Sequence, residues 1–386
     1  MTIQTQPHQE RSDYSALHLA ALAVVAVAGL RVVSTCPPLR TTEDFAYTGV
    51  LDSEGRKWVV KYPLTDHAGT LLEAEAAVAS SLLEQLRAGN LPFDVMRPEG
   101  YAAYKGRRSV IYPAPLGAAK DFAALTGAEA RELGRAIAAI HSLPAAALSS
   151  AGLAAYNSEQ VRERLLTELE DASAESYVPA IVRRRWLNAL DDDELWQFTS
   201  VAVHGDPAAE NFLWAEGSIR SVIGFGEAHV GDPAVDIAPI MAELSEAAFA
   251  DFFDSYQGAM RGECDERLLE RSALMGEFAL VRWLMHGVLT DDQEIIDDAS
   301  VMLEQLAVEI DADPELSPGP AWHIDEVEPV AYSTSAEFNF TDGEPLDSYS
   351  ADWAESGDMD VSSGSEAPTA LTADLSFTAD LAQSPQ

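Results

Sequence analysis

The sequence predicts an α+β protein: a strand-rich N-terminal part with one long helix, a short linker, a mainly helical part and an acidic tail. Short apolar runs alternate in strand fashion as far as residue 112. Two prolines and a glycine then fall within Pro113–Gly117, a stretch that can continue neither a helix nor a strand. Beyond residue 120 the apolar spacing is mostly helical.

Taken in order, residues 1–12 are polar and read as a disordered N-terminus. Leu17 to Leu30 is almost wholly Ala, Val and Leu. It falls short of the roughly 20 apolar residues a membrane span needs. The flanking Glu10, Arg11 and Asp13 also give it no positive leader. A packed helix capped by Asp13 or Ser15 is the expectation. Strand-like runs follow at Leu30–Ser34, Phe45–Leu51 and Lys57–Tyr62, the last two joined by an Asp-Ser-Glu-Gly turn into a hairpin. Leu72, Ala76, Ala79, Leu82 and Leu86 give the apolar face of a helix from about His67 to Ala88. Runs at Met96–Tyr104 and Arg108–Tyr112 complete an N-terminal domain of residues 13–112, and 113–117 is the hinge.

A second domain, residues 118–310, is helical around Leu133, Ile137 and Ile140, returns to short strands between Phe198 and Gly226, and is helical again from Ala234. Residues 311–386 hold no Lys or Arg and many Asp, Glu, Ser, Thr, Pro and Gly, the composition of a disordered segment. Trp322, Phe338, Phe340, Tyr349 and Trp353 within it could serve as docking motifs for a protein partner, although a solubilising tail is the simpler reading.

The net charge of −40 disfavours nucleic acid and anionic membranes as partners. Cys36 and Cys264 form neither a disulfide framework nor a zinc spacing, which suits a reducing cytoplasm.

The chemistry concentrates in two blocks. In the first, the apolar run Val201-Ala202-Val203 leads into His204-Gly205-Asp206, and Asn211 follows five residues later. Phosphoryl transfer needs a carboxylate to orient the attacking hydroxyl and take its proton, and oxygen ligands for a metal ion. One loop carrying Asp206 and Asn211 offers both; alone, the spacing also suits a surface turn. In the second block, the strand-like Ile219–Ile223 precedes Gly224-Phe225-Gly226-Glu227, then Gly231-Asp232-Pro233 and Asp236-Ile237-Ala238.

Together these blocks resemble the aminoglycoside and macrolide phosphotransferase family, which has a two-lobed protein-kinase-like fold. Glu227–Pro233 is worded most like macrolide-type members and their uncharacterised actinobacterial relatives, and Leu133–His141 is similar to the family's helix after the linker. The resemblance implies a cytoplasmic enzyme that transfers the γ-phosphate of ATP or GTP to a hydroxyl of a small molecule, with Mg2+. By the same resemblance Asp206 is the catalytic base and Asn211 a metal ligand. Lys61, one of only four lysines, is the strand lysine that meets the nucleotide phosphates, with Glu75 as its partner and Glu73 the alternative. Ile111–Ala114 is then the stretch that meets the base, Tyr112 and Ala114 included. His204 and Asp236 are structural, Asp236 bracing the catalytic loop or simply starting a helix.

Two departures stand out. Arg40–Phe45 lacks a glycine-rich phosphate cover, which family members often do without. More important, Gly224 stands where the family has its metal-binding aspartate. Among the nearby acids, Glu210, Glu227 and Asp232, chain direction favours Glu227 as the replacement ligand. The alternative is a pseudokinase that keeps the fold, lacks efficient catalysis and acts by association.

Overall fold

The computed structural model describes residues 15–42, 44–174, 178–262, 265–312 and 339–340. The N-terminal sheet is antiparallel, in the order β1 (Val32–Thr41), β2 (Phe45–Asp52), β3 (Lys57–Pro63), β6 (Arg107–Pro113), β5 (Gly100–Tyr104). Its strands carry apolar residues on both faces because both faces are covered. Trp58, Val60 and Tyr62 point to one side, where they pack with Leu19, Ala20 and Ala23 of helix α1 (Ala16–Ala26). Val59 joins the cluster on the opposite side, with Phe45, Tyr47 and Leu72 of helix α2 (Asp66–Arg87). Strand periodicity therefore places Lys61 on the α2 side, in register with Tyr47 and Val110 on the neighbouring strands.

α1 meets the expectation of a packed helix on one face only. Leu17 and Val25 are 76% and 78% exposed, since a helix apolar all round covers the sheet with one stripe and leaves the rest outside. No helix among the described residues is long and apolar enough to cross a membrane. α2 starts shortly after Pro63, at the N-cap Thr65, whose hydroxyl accepts from the Ala68 N–H at 3.1 Å.

Of the expected Met96–Tyr104 run only β5 is a strand, because Pro98, which has no N–H to give a ladder, interrupts its start; a short β4 (Asp94–Val95) lies just before the run. β4 does not join the first sheet. It pairs in parallel with β10 (Ser218–Val222), in a second sheet ordered β12 (Asn339–Phe340), β7 (Gly117–Ala119), β9 (Phe212–Ala215), β10, β4. Pro113 still belongs to β6 and Gly117 already opens β7, so of the stretch 113–117 Ala114, Pro115 and Leu116 lie between strands. A third, two-stranded sheet pairs β8 (Val201–Val203) with β11 (His229–Gly231).

The rest is helical: α3 (Gly127–His141), α4 (Ala146–Ser149), α5 (Ser158–Ala174), α6 (Ala180–Asp191), α7 (Ala234–Glu243), α8 (Glu246–Ala259), α9 (Leu268–Thr290) and α10 (Gln293–Ala312). α3 opens with a capping box between Thr126 and Glu129. The core of this part gathers Leu133, Ile137, Trp186, Phe252 and Phe278. α10 runs two residues past the expected end of the domain. The expected disordered segments, 1–12 and 311–386, lie outside the described residues apart from 311–312, which end α10, and Asn339–Phe340, which pair with β7.

One ion pair inside this core fixes the approach to α7. Asp232 accepts from Arg271 Nε at 2.7 Å and Nη2 at 3.1 Å, and also from the Ala234 N–H at 3.0 Å. Arg271 has no exposed surface, donates to the Leu195 carbonyl at 3.1 Å and lies over the Phe198 ring. Arg271 Nη2 also lies 2.5 Å from Oδ2 of the partly exposed Asp265, so removing Asp232 leaves a fully buried guanidinium with one acid in place of two. Asp232→Ala is therefore expected to lower stability by about 3–5 kcal/mol in urea unfolding. Combining Asp232→Leu with Arg271→Met removes both charges together and should cost clearly less.

Candidate active site

β8 delivers His204, Gly205 and Asp206 onto a loop that would be unsatisfied without help from α7. Asp236 supplies it. One carboxylate oxygen accepts from the His204 N–H at 2.7 Å and from His141 Nε2 at 3.0 Å, and the other accepts from the Gly205 N–H at 2.8 Å. Burial works to raise the Asp236 carboxyl, but the His141 bond and the charges and amides around it prevail and hold it below its ordinary value. His141 is fixed in turn by Tyr256, whose hydroxyl is 2.9 Å from Nδ1. His204 Nε2 meets the Ile223 carbonyl at 2.8 Å, and its Nδ1 faces the Asp206 N–H at 3.3 Å, so the ring carries its proton on Nε2. The first block of the sequence is in this way clamped to the second.

The clamp sets the positions of the polar groups. Asp206, Asn211, Gly224 and Glu227 line one cleft with Lys61 and Glu75 from the other lobe. Lys61 Nζ donates to Glu75 Oε2 at 2.8 Å and lies 4.4 Å from the centre of the Phe45 ring. Burial opposes its charge, yet Glu75, Tyr47 and Asp206 outweigh that and hold the ammonium well above its usual range. Glu73 is turned away, paired with Arg108. The Asp206 carboxyl is raised, first by burial and further by the charges of Glu210 and Glu227, while the bond from Asn211 acts against them.

Gly224 has φ +83°, and a Cβ placed there would lie 2.4 Å from Asn211 Oδ1. The Asn211 amide occupies the room a side chain at 224 would take. Its nitrogen donates to the Asp206 carbonyl at 2.8 Å and to Asp206 Oδ2 at 3.1 Å, whereas Oδ1 is buried with no partner. Such an orphaned oxygen is a natural cation ligand. Gly205, at φ +85°, has the Glu227 carbonyl 2.2 Å from where its Cβ would stand, so the two backbone segments touch here. That contact keeps Glu227 beside the loop. Asp232 is committed to Arg271 and does not reach the cleft.

The hinge is placed differently from the polar cluster. Tyr112 is fully buried in β6, opposite Val59, with its hydroxyl unpartnered. The Ala114 N–H donates to the Lys57 carbonyl at 3.0 Å. His141, Tyr256, Phe45, Tyr47 and Met96 were not singled out by the motif reading. His141 alone had a signal, a polar ring ending the buried stripe of an otherwise apolar helix face.

This arrangement has known counterparts. Residues 47–270 match the model of the phosphotransferase enzyme family, APH. The chain belongs to that family. Among the family's curated relatives, viomycin phosphotransferase of Streptomyces vinaceus is 37% identical over 121 residues, 30% of this chain and 40% of that enzyme's length. The uncharacterized protein YcbJ of Bacillus subtilis (strain 168) is 24% identical over 255 residues, 64% of this chain and 83% of its own. Macrolide 2'-phosphotransferase MphH from Brachybacterium faecium shares the fold at a TM-score of 0.61 and 22% identity, covering 74% of this chain and 97% of its own. APH(2")-IIia, solved with GDP and kanamycin, does so at 0.61 and 19%, covering 75% and 98%. The two-lobed, kinase-like architecture of this phosphotransferase family is therefore the architecture of this chain.

Asp236 carries a stability signature. Because its folded carboxyl is held below the unfolded value of about 3.9, its stabilisation is complete above that value and is lost as pH falls through the lower folded one. Asp236→Asn should cost about 2–4 kcal/mol at pH 7, with the gap from the parent narrowing only as pH falls below the unfolded value of about 3.9 in urea titrations.

Proposed function

We propose that this phosphotransferase family member transfers the γ-phosphoryl group of ATP or GTP to a hydroxyl of a small molecule. The observation that carries the proposal is the convergence of Lys61, paired with Glu75, and Asp206, held by Asn211, on the two walls of one cleft. Lys61 keeps its charge there and offsets that of the donor phosphates. Asp206 accepts the acceptor's hydroxyl proton as the new oxygen–phosphorus bond forms and the bond to the leaving nucleoside diphosphate breaks. Its raised carboxyl is a better base than an ordinary exposed aspartate.

Magnesium fits this donor set as a shared ion. No group of three or more His, Cys, Asp or Glu side chains able to hold a metal occurs among the described residues. Mg2+ usually takes only one or two protein carboxylates and completes its shell with phosphates and water. Asn211 Oδ1 and Glu227 would hold it, and it would supply positive charge to the phosphates. Asp121, Glu210 and Glu243 lie close enough that burial, Glu210 and Asp121 push the Glu243 carboxyl up to about 7. A cationic group next to that acidic cluster would be welcome, so amine-bearing acceptors come first in a substrate screen.

Gly224 supports a second reading, a pseudokinase that binds nucleotide and acts by association, with the acidic segment after residue 312 docking a protein partner. Turnover of ATP and GTP by the parent chain, with and without Mg2+, decides between the two. On the first reading Asp206→Ala loses at least about 10²-fold in turnover and keeps its nucleotide affinity. Gly224→Asp gains nothing there, because its Cβ meets the Asn211 amide. Binding without turnover in the parent, with turnover gained in Gly224→Asp, would establish the second reading instead.

A further inference from the structure

The hinge, Pro113-Ala114-Pro115-Leu116, has an unusual supply of hydrogen-bonding groups. Two of its four residues are prolines and have no N–H. The Ala114 N–H is given to the Lys57 carbonyl at 3.0 Å, extending the β3–β6 ladder by one bond. The Leu116 N–H is given to Ser221 Oγ at 3.2 Å, and the same hydroxyl donates back to the Leu116 carbonyl at 3.0 Å. Ser221 sits in β10 and is 2% exposed, so this clip is part of the buried frame. Every backbone donor of the hinge is absent or already used. What the segment can still offer a planar ring is carbonyl oxygen, at Pro113, Ala114 and Pro115, all half-exposed.

Nucleobases differ in what they need from such an edge. Adenine presents the N6 amino donor beside the N1 acceptor, so it asks for one acceptor and one donor. Guanine presents N1–H and the N2 amino group side by side, two donors that ask for two acceptors. An adenine lying along this hinge would make one bond, through N6, and leave N1 unpaired, whereas a guanine would make two, through N1–H and N2, and leave O6 unpaired. The balance is one net hydrogen bond in favour of guanine.

We infer that the hinge selects a guanine nucleotide over an adenine nucleotide, with Pro115 and Ser221 as the residues that withhold the donors adenine requires. The inference rests on the proposed nucleotide-dependent transfer for the location of the base. It extends that proposal by naming the donor and the residues that choose it.

Calorimetric titration of the full chain with GDP, ADP and IDP tests it. GDP should bind severalfold to about tenfold more tightly than ADP, the size of one net hydrogen bond. IDP, with N1–H but no N2 amino group, should fall between them. Pro115→Ala restores a backbone N–H and Ser221→Ala releases that of Leu116. At least one of the two should tighten ADP severalfold with little change for GDP, and unchanged circular dichroism and melting would show that each variant is folded. ADP binding as tight as GDP, or a GDP-to-ADP ratio moved by neither variant, would overturn the inference. Binding of neither nucleotide would overturn it together with the transfer proposal. A guanine preference without phosphoryl transfer would leave the hinge assignment standing and sink only the transfer.

Discussion

Asp236 has no exposed surface, yet its two carboxylate oxygens accept from the His204 and Gly205 amides and from the His141 ring. These partners come from α3 and from the loop after β8, while Asp236 itself sits in the first turn of α7. A buried charge is tolerated only when its lone pairs are filled, and here filling them ties three segments far apart in sequence to one point. Asp206 and Asn211 follow Gly205 closely, so their positions depend on this carboxylate although it lies outside the cleft. His204 carries the constraint a step further by bonding the Ile223 carbonyl, immediately before Gly224.

The N-terminal lobe contributes through a different kind of device. Lys61 is positioned by strand periodicity and register, and Glu75 by the helical face of α2, so their 2.8 Å contact reports how the helix seats on the sheet. The pair is largely buried and keeps both charges close, which holds a cation ready in the cleft. Phe45 and Tyr47, both in β2, lie against it, so aromatic rings of the sheet face the lysine.

Much of the fold was legible because its causes are local. The alternation in Lys57–Tyr62, the apolar face of α2 and the Pro113–Gly117 break are properties of a few adjacent residues. The position of β4 was not legible: Asp94–Val95 joins a sheet whose other strands lie over a hundred residues away, or just past the hinge, and no periodicity in two residues reports that. The site divides in the same way. Asp206, Asn211 and Lys61 stand out by motif, and the choice of Glu75 over Glu73 follows from helix facing. His141 acts through long-range bonds to Asp236 and Tyr256, and the hinge donors are consumed by Lys57 and Ser221, partners that spacing alone does not reveal.

Gly224 shows how one substitution changes meaning once its surroundings are known. In sequence it is the loss of a carboxylate. In space it has a left-handed backbone, which Asp and Asn tolerate better than most residues, so backbone strain alone did not require glycine. The requirement comes from Asn211, whose amide stands 2.4 Å from the position of a Cβ and is anchored to Asp206 by its nitrogen. Glycine at 224 and the inward placement of Asn211 are therefore one feature, and a carboxylate there would push the amide away from the Asp206 carboxylate it bonds. Meanwhile Gly205 lets the Glu227 carbonyl approach the loop after β8, so an acid remains near Asp206 and adds to the rise that burial gives its carboxyl. The negative charge missing from residue 224 has a counterpart three residues later, on the far side of a turn that only a glycine at 205 allows to close.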